Sequence, residues 1–488
     1  MTIHQQEPQI RQEREKAPAR VRVPESRMEQ LPPFLRMEGA MPQSAPSPVP
    51  VPAAAAVGHR FLIYKQDPSV TELGVRVTYV PSVVLNGPAD ARITTELAGV
   101  TPVARNVNGD FIFPPNTPQF DCEHTFAVVR QTLTMYERHH GAPIRFAWNI
   151  GGNTDRITVH PRAGVDRNAF YSRTAKVLKF FFFTPANQTQ QVFTCRSLDI
   201  AAHEMGHAIL DGLKPGWLGA ANPPQTGGLH EAFGDLTAVF LTLSQPDQAE
   251  ALVALTRANL HDKNFLSAVA EEFGKAALNR DYGLRNADND LRLSQVGNEV
   301  HDISQVFTGA VYDILADIYA FECRRRSGRR DHTLLLIEVA DKLCKLLLDA
   351  IIAAPAVGAT YVDVANKMLQ ISAQRQEPAI YRTFIRNRFA VREITTAATP
   401  LTDLMSGRMD LANAEYTGNG SDVTEVEAYD EHSASLRAEQ YRARCCGTMQ
   451  MPEYLVVDPD KLNKGGALED DDILRHELDE LRRAFSKQ

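Results

Sequence analysis

The sequence predicts an α+β fold, with a β-rich N-terminal lobe followed by a mainly helical lobe. Three observations carry this. Short runs of β-branched and aromatic residues bounded by turn formers, "HRFLIYK" and "GVRVTYVPSVVL", begin at His59. "VLKFFFFTP" holds four consecutive phenylalanines and suits one buried strand. From Leu198 onward the apolar spacing is mainly helical. Strands gathered ahead of helices give the α+β order rather than an alternating one.

The elements follow along the chain. Residues 1–58 are polar and then proline-rich, ending in "MPQSAPSPVPVPAAAAVG", and read as a disordered leader or linker. Residues 59–196 form the β-rich lobe. Within it, "FDCEHTFAVVRQTLTMYERHHG" spaces Phe126, Val129, Leu133 and Tyr136 as one face of a long helix. Residues 197–399 form the helical lobe. It opens with "DIAAHEMGHAILDG", where Gly212 is the expected stop. After a glycine-rich connection, Leu229, Phe233, Leu236, Val239 and Phe240 mark a second helix. Val306, Phe307, Ala310, Val311, Ile314 and Leu315 mark a third, which starts near His301. Residues 400–488 are a polar extension with an acidic run, "LEDDD", and a terminal amphipathic segment, "ILRHELDELRRAF", read as a packing or interaction helix. No internal repeat is evident.

A chain of 488 residues with 43% apolar and 23% charged residues has ample material for a large core. A net charge of -8 argues against nucleic acid as the main partner. No apolar run approaches the roughly 18 residues needed to span a bilayer. "MTIHQQEPQIRQEREKAPAR" carries charges throughout and has no apolar core, so it is not an ordinary secretory signal. The expected location is the cytoplasm, or outside it by a route without a classical signal peptide. The six cysteines, at 122, 195, 323, 344, 445 and 446, form no C-x-x-C pair and read as reduced thiols.

The chemistry concentrates in His203, Glu204 and His207, spaced H-E-x-x-H. Residues i and i+4 share a helix face, so the two imidazoles converge on one point and can hold Zn2+. Glu204 is rotated off that direction and can reach a water on the metal without binding the metal itself. A zinc enzyme needs a third ligand and an open fourth position. Glu231 and Asp235 share a face of the following helix. Glu231 is the candidate third ligand, and Asp235 the acceptor for the free ring N–H of a ligating histidine. His230, beside Glu231, is a rival ligand.

These stretches resemble the thermolysin family of zinc endopeptidases, the gluzincins, in the family's own order over roughly residues 60–395. "NAFY" from Asn168 is similar to its edge-strand motif that binds substrate backbone. "DIAAHEMGHAILD" is similar to its zinc helix, "LHEAFGD" to its third-ligand helix, and "VHDISQVFTGAVYDIL" to the helix that begins with its catalytic histidine. The resemblance implies a thermolysin-like fold with the active site in the cleft between two lobes. It also implies a zinc endopeptidase acting on peptide or protein substrates. In that reading one zinc ion is held by His203, His207 and Glu231. Glu204 is the general base, His301 the oxyanion donor, and Asn168, Ala169 and Arg285 (with Arg280 as the other choice) bind substrate.

The sequence also departs from the family. Val296 stands where an aspartate usually partners the catalytic histidine; Glu299, Asp290 and Asp302 are nearby acids. The tyrosine of the family's linker has no counterpart, although Trp217 lies close. Thr242 replaces a carboxylate of the acidic cluster that binds calcium in many relatives, which puts calcium in doubt. Intact Glu204 favours an enzyme. Val296 and the missing tyrosine favour the alternative, a weak or inactive metalloprotease-like interaction module. A third reading has the motif helices pack without any metal.

Overall fold

Alternation in "HRFLIY" turns Phe61 and Ile63 inward and Arg60 outward, and this segment is strand β1 (His59–Tyr64) of the computed structural model. The structure describes residues 58–396, apart from 99–100, 150–154, 187, 220 and 327–329, together with 424–429. The leader through residue 57 lies outside the described residues. So does most of the C-terminal extension, including Cys445, Cys446 and the terminal amphipathic segment. The architecture is mixed α+β, as expected. β1 pairs antiparallel with β2 (Val75–Val80), His59 standing opposite Val80. Next come β3 (Ile93–Thr95) and the long helix α1 (Pro118–His140). Thr117 caps α1 by accepting from Phe120 N–H, Pro118 begins it, and Gly141 ends it at φ 78°. Phe126, Val129, Leu133 and Tyr136 are all buried, so the helical spacing does mark the core face.

β4 (Ile157–His160), β5 (Ala169–Ser172) and β6 (Val177–Phe180) complete a four-stranded sheet in the order β3-β4-β6-β5. β3, β4 and β6 run parallel, and β5 runs antiparallel to β6 at one edge. The phenylalanine run is not one strand. It breaks at Phe181 into β6 and β7 (Phe182–Phe183), and β7 pairs with β8 (Val192–Phe193). The break has a local cause. Phe181 N–H donates to the Asn168 carbonyl at 3.2 Å, and the Phe181 carbonyl accepts from Thr194 N–H at 3.0 Å, so the backbone changes partners there.

The helices follow: α2 (Leu198–Leu213), α3 (Pro224–Leu243) and α4 (Pro246–Thr256), then α5 (Glu271–Leu278) between the short strands β9 (Ala268–Val269) and β10 (Arg285–Asn286). α6 (Val300–Arg325), α7 (His332–Ala353), α8 (Tyr361–Gln374) and α9 (Ala379–Val391) complete the set. α2 does not stop at Gly212; it runs one residue further and ends before Pro215. Gly212 is there for close approach, since a Cβ would lie 2.0 Å from the Arg145 carbonyl oxygen. The expected glycine-rich connection is shorter than its glycines suggest: Gly216 and Gly219 lie between the two helices, but the next glycines do not. Gly227 and Gly228 lie inside α3, where a Cβ on Gly228 would meet the Tyr361 hydroxyl at 2.2 Å and Ile303 at 2.7 Å. Missing side chains there let α3, α6 and α8 meet.

One contiguous apolar core joins the strands to the helices. Residues 424–429 return to this body: Thr396 N–H donates to the Glu427 carbonyl at 2.9 Å, and Val426 N–H to Asn366 Oδ1 at 2.7 Å. Among the described residues no helix is long and apolar enough to cross a membrane. Cys122, Cys195, Cys323 and Cys344 are free thiols.

Candidate metal centre

Ser197 starts α2 by accepting from Ile200 N–H, with Asp199 in the first turn where the helix dipole favours an acid. One turn later His203 and His207 aim Nε2 atoms at a common point, 2.9 Å apart. α3 crosses α2 closely because both helices lack a side chain at the contact. A Cβ on Gly206 would come 2.8 Å from Thr237 Oγ1, and one on Gly234 would come 2.6 Å from the His203 ring. This approach brings Glu231 in. Its Oε2 is 3.3 Å from His203 Nε2, and its Oε1 is 3.8 Å from His207 Nε2. Tetrahedral zinc with bonds of roughly 2.0–2.2 Å separates its donors by about 3.3 Å. The three spacings straddle that value.

The donor set is also chemically suited to a cation. All three residues are buried, and the Glu231 carboxylate faces ring nitrogens of His203, His207 and His301 at 3.3, 3.8 and 3.2 Å, a buried anion that demands positive charge beside it. Burial alone would raise Glu231. The charges of His301 and His207 and the hydrogen bonds from His203 and His301 outweigh it and hold the group well below the ordinary carboxylate range. Burial opposes charge on His203, but Asp235 and Glu231 prevail and push it up to about 9. His207 is held well below its ordinary value, chiefly by burial and then by His203. The pair thus takes one positive charge between two carboxylates, which is the electrostatic demand a metal ion meets.

The surrounding residues fix the rings. Asp235 Oδ1 lies 2.9 Å from His203 Nδ1, as the i, i+4 spacing from Glu231 leads one to expect. Burial would raise Asp235, but Arg285 and His203 bring it down to about 2. Arg285 grips Asp235 with both Nε (2.8 Å) and Nη2 (2.6 Å). Its guanidinium therefore braces the acid behind His203, a contact the sequence reading did not foresee. Its rival Arg280 donates to the Leu284 carbonyl at 3.2 Å. His230 does not join the ligand triangle. Its Nδ1 is 2.9 Å from His207 Nδ1, so it holds His207 from behind. Burial takes His230 down to about 3, which keeps it neutral and able to accept. The i, i+4 partner Asp235 favours Glu231 over His230 as the ligand, as found; no local pattern points to the place of His230 behind His207.

Glu204 sits beside the triangle with Oε2 buried and without a hydrogen-bond partner. Burial is the main cause that lifts it to about 8; the charge of His203 opposes and that of Glu231 adds. His301, second residue of α6, points Nε2 at Glu231 Oε1 from 3.2 Å. Its Nδ1 is held by Glu299 at 2.7 Å, so of the three acids near Val296 it is Glu299 that reaches the ring. Trp217 is buried and donates to the Pro355 carbonyl at 2.9 Å, which makes it a packing residue.

Asn168 precedes β5, an edge strand as expected. Its Oδ1 accepts from Ala169 N–H at 2.8 Å, and its carbonyl accepts from Phe181 N–H and from Thr194 Oγ1 at 3.1 Å, so those backbone groups are already engaged. β5 is fastened to α2 by the Tyr171 hydroxyl, which donates to Asp211 at 2.6 Å. At the position expected to carry a calcium carboxylate, Thr242 donates to Gln66 Oε1 at 3.4 Å. His261, Asp288 and Asp313 form a second group close enough to share an ion. Asp313 there is already paired with Arg392 at 2.9 Å, and His261 with Asp288 at 2.8 Å, so an ion-pair network accounts for it. A cavity of about 760 Å³ between β2, α1 and α7 contains none of the centre's residues. The sequence gives no significant match to any family model or to any curated protein.

Proposed function

We propose that the chain is a zinc-dependent endopeptidase with a thermolysin-like arrangement of two lobes. The observation that carries this is the buried Glu231 carboxylate, which faces His203 Nε2 at 3.3 Å and His207 Nε2 at 3.8 Å from a second helix. His203, His207 and Glu231 would hold the ion. Zinc, when bound, supplies Lewis-acid activation of water and of a peptide carbonyl.

The remaining work falls to the chain's own residues. Glu204 has an unpartnered oxygen and a proton affinity raised to about 8 by burial. Such a group can take a proton from the attacking water and deliver it to the departing amine. His301 offers Nε2 on the side of Glu231, at the start of α6, where backbone N–H groups and the helix dipole favour developing negative charge. Asp235 and His230 keep the two metal imidazoles in one tautomer and orientation. Peptide as the substrate class rests on the order of the four sequence stretches.

The test is Glu204→Gln in the full chain. Elemental analysis should find one zinc in both proteins, while cleavage of casein and of a peptide library falls about 10²–10⁴-fold in the variant. Equal inertness of the two zinc-loaded proteins would sink the hydrolase reading and leave a metal-binding interaction module.

A further inference from the structure

We propose that Glu299 performs two tasks with one carboxylate: it starts α6, and it positions the His301 ring for the hydrolysis proposed above, on which this inference rests. Oε2 accepts from the backbone N–H of His301 at 2.9 Å and of Asp302 at 3.0 Å. Oε1 accepts from His301 Nδ1 at 2.7 Å. The same side chain thus satisfies two orphan donors of the helix start and fixes the ring that follows.

Residue choice supports the second task. Serine, threonine, aspartate and asparagine are the preferred helix-starting residues, because a short side chain folds back onto the backbone N–H groups. Glutamate is not among them. Its extra methylene does nothing for the cap alone, but it carries the carboxylate further out, to where one oxygen meets the backbone N–H groups and the other the imidazole. With Oε1 as acceptor, Nδ1 must carry the proton. Nε2 is then directed toward Glu231, 3.2 Å away, and so toward the metal site. Glu299 is a positioning residue: it acts through His301 and need not touch substrate. The restraint is also local, since both partners belong to the first turn of one helix. No other element has to be placed correctly for the ring to be held.

Two substitutions separate the tasks. Glu299→Ser keeps a good helix start and removes the group that reaches Nδ1. Glu299→Gln keeps one acceptor of similar reach. In the full zinc-loaded chain, Glu299→Ser should retain one zinc and melt within a few degrees of the parent. Its kcat on a peptide should fall about 10–100-fold, with KM changed less than about twofold. Glu299→Gln should recover part of that loss. Imidazole 15N–1H spectra provide a readout independent of activity: the hydrogen-bonded Nδ1–H signal of His301 should be present in the parent and absent in Glu299→Ser. An unchanged kcat in Glu299→Ser would overturn the proposal while leaving the hydrolase reading intact. If the zinc-loaded parent cleaved nothing although the Nδ1–H signal was present, the hydrolase reading would fail, and the positioning role with it.

Discussion

At the scale of single residues, two of the buried acid clusters have opposite needs. Around Glu231 the buried acids are met by histidines. Around Asp199 they meet each other: burial, then the neighbouring charge of Asp67, lifts Asp199 to about 8, against hydrogen bonds from Ala270 N–H and Gln66. The sign of the pH dependence follows. An unfolded aspartate releases its proton near 3.8, so between about pH 4 and pH 8 the folded state binds more protons than the unfolded. The stability tied to this proton is complete below about pH 4 and is lost as pH rises through that window. Asp199→Asn keeps an acceptor for Ala270 N–H and abolishes the titration. Its melting temperature relative to the parent, both zinc-loaded, should climb from pH 5 to pH 8.5. The slope of the corresponding difference in unfolding free energy should stay below the one-proton limit of about 1.4 kcal/mol per pH unit. A difference flat with pH would show that Asp199 is charged in the folded protein at all these values. A second prediction concerns His203. It holds a proton up to about pH 9 in the metal-free centre, and a ligand must give that proton up. Zinc uptake at pH 7 should therefore release at least one proton, seen by calorimetry in buffers of different ionisation enthalpy. Uptake without proton release would contradict the charge state assigned to the pair.

At the scale of elements, the centre exists because α2 and α3 cross where each has a glycine. Gly234→Ala places a methyl 2.6 Å from the His203 ring. Alanine is the better helix former by about 1 kcal/mol, so the substitution should not weaken α3 itself. The cost should appear in the metal: zinc affinity, measured by chelator competition, should fall about 10–100-fold through the displaced histidine. Unchanged affinity would mean that the ring has room the packing does not show. The site was legible in the sequence as far as helical periodicity reaches. His203, His207, Glu231 and Asp235 obey i, i+4 relations, so their side chains were assignable to faces before any fold was known. The partners of the rings were less accessible. Arg285 reaches Asp235 from 50 residues away, which no local pattern encodes. Glu299 and His230 each stand within two residues of a group already singled out. A neighbour in sequence, however, tells nothing of which way a side chain turns. The glycines in "HEMGH" and "EAFGD" were the unread signal, because their function is to admit another helix.

At the scale of the whole molecule, the order of strands before helices was legible because the two periods differ. The break in the phenylalanine run was not, since unbroken apolar runs carry no phase and cannot show where a backbone changes sheets. The consequence of the order is that the ligands come from consecutive helices whose other faces belong to one core reaching back to the strands. An ion held by α2 and α3 would therefore stabilise the packing of this body and not of a peripheral loop alone. Binding that favours the folded state by mass action adds about 4 kcal/mol at a thousandfold excess over Kd. Removing zinc with a chelator should lower the melting temperature by several degrees and leave the circular dichroism at 25 °C nearly unchanged, because the helices are held by apolar burial rather than by the metal. Restoring zinc should return the melting temperature, whereas the double variant His203→Ala with His207→Ala should not respond. Melting that is the same with and without zinc would mean that α2 and α3 gain nothing from an ion between them, and the centre would then be a packed cluster of polar groups instead of a metal site.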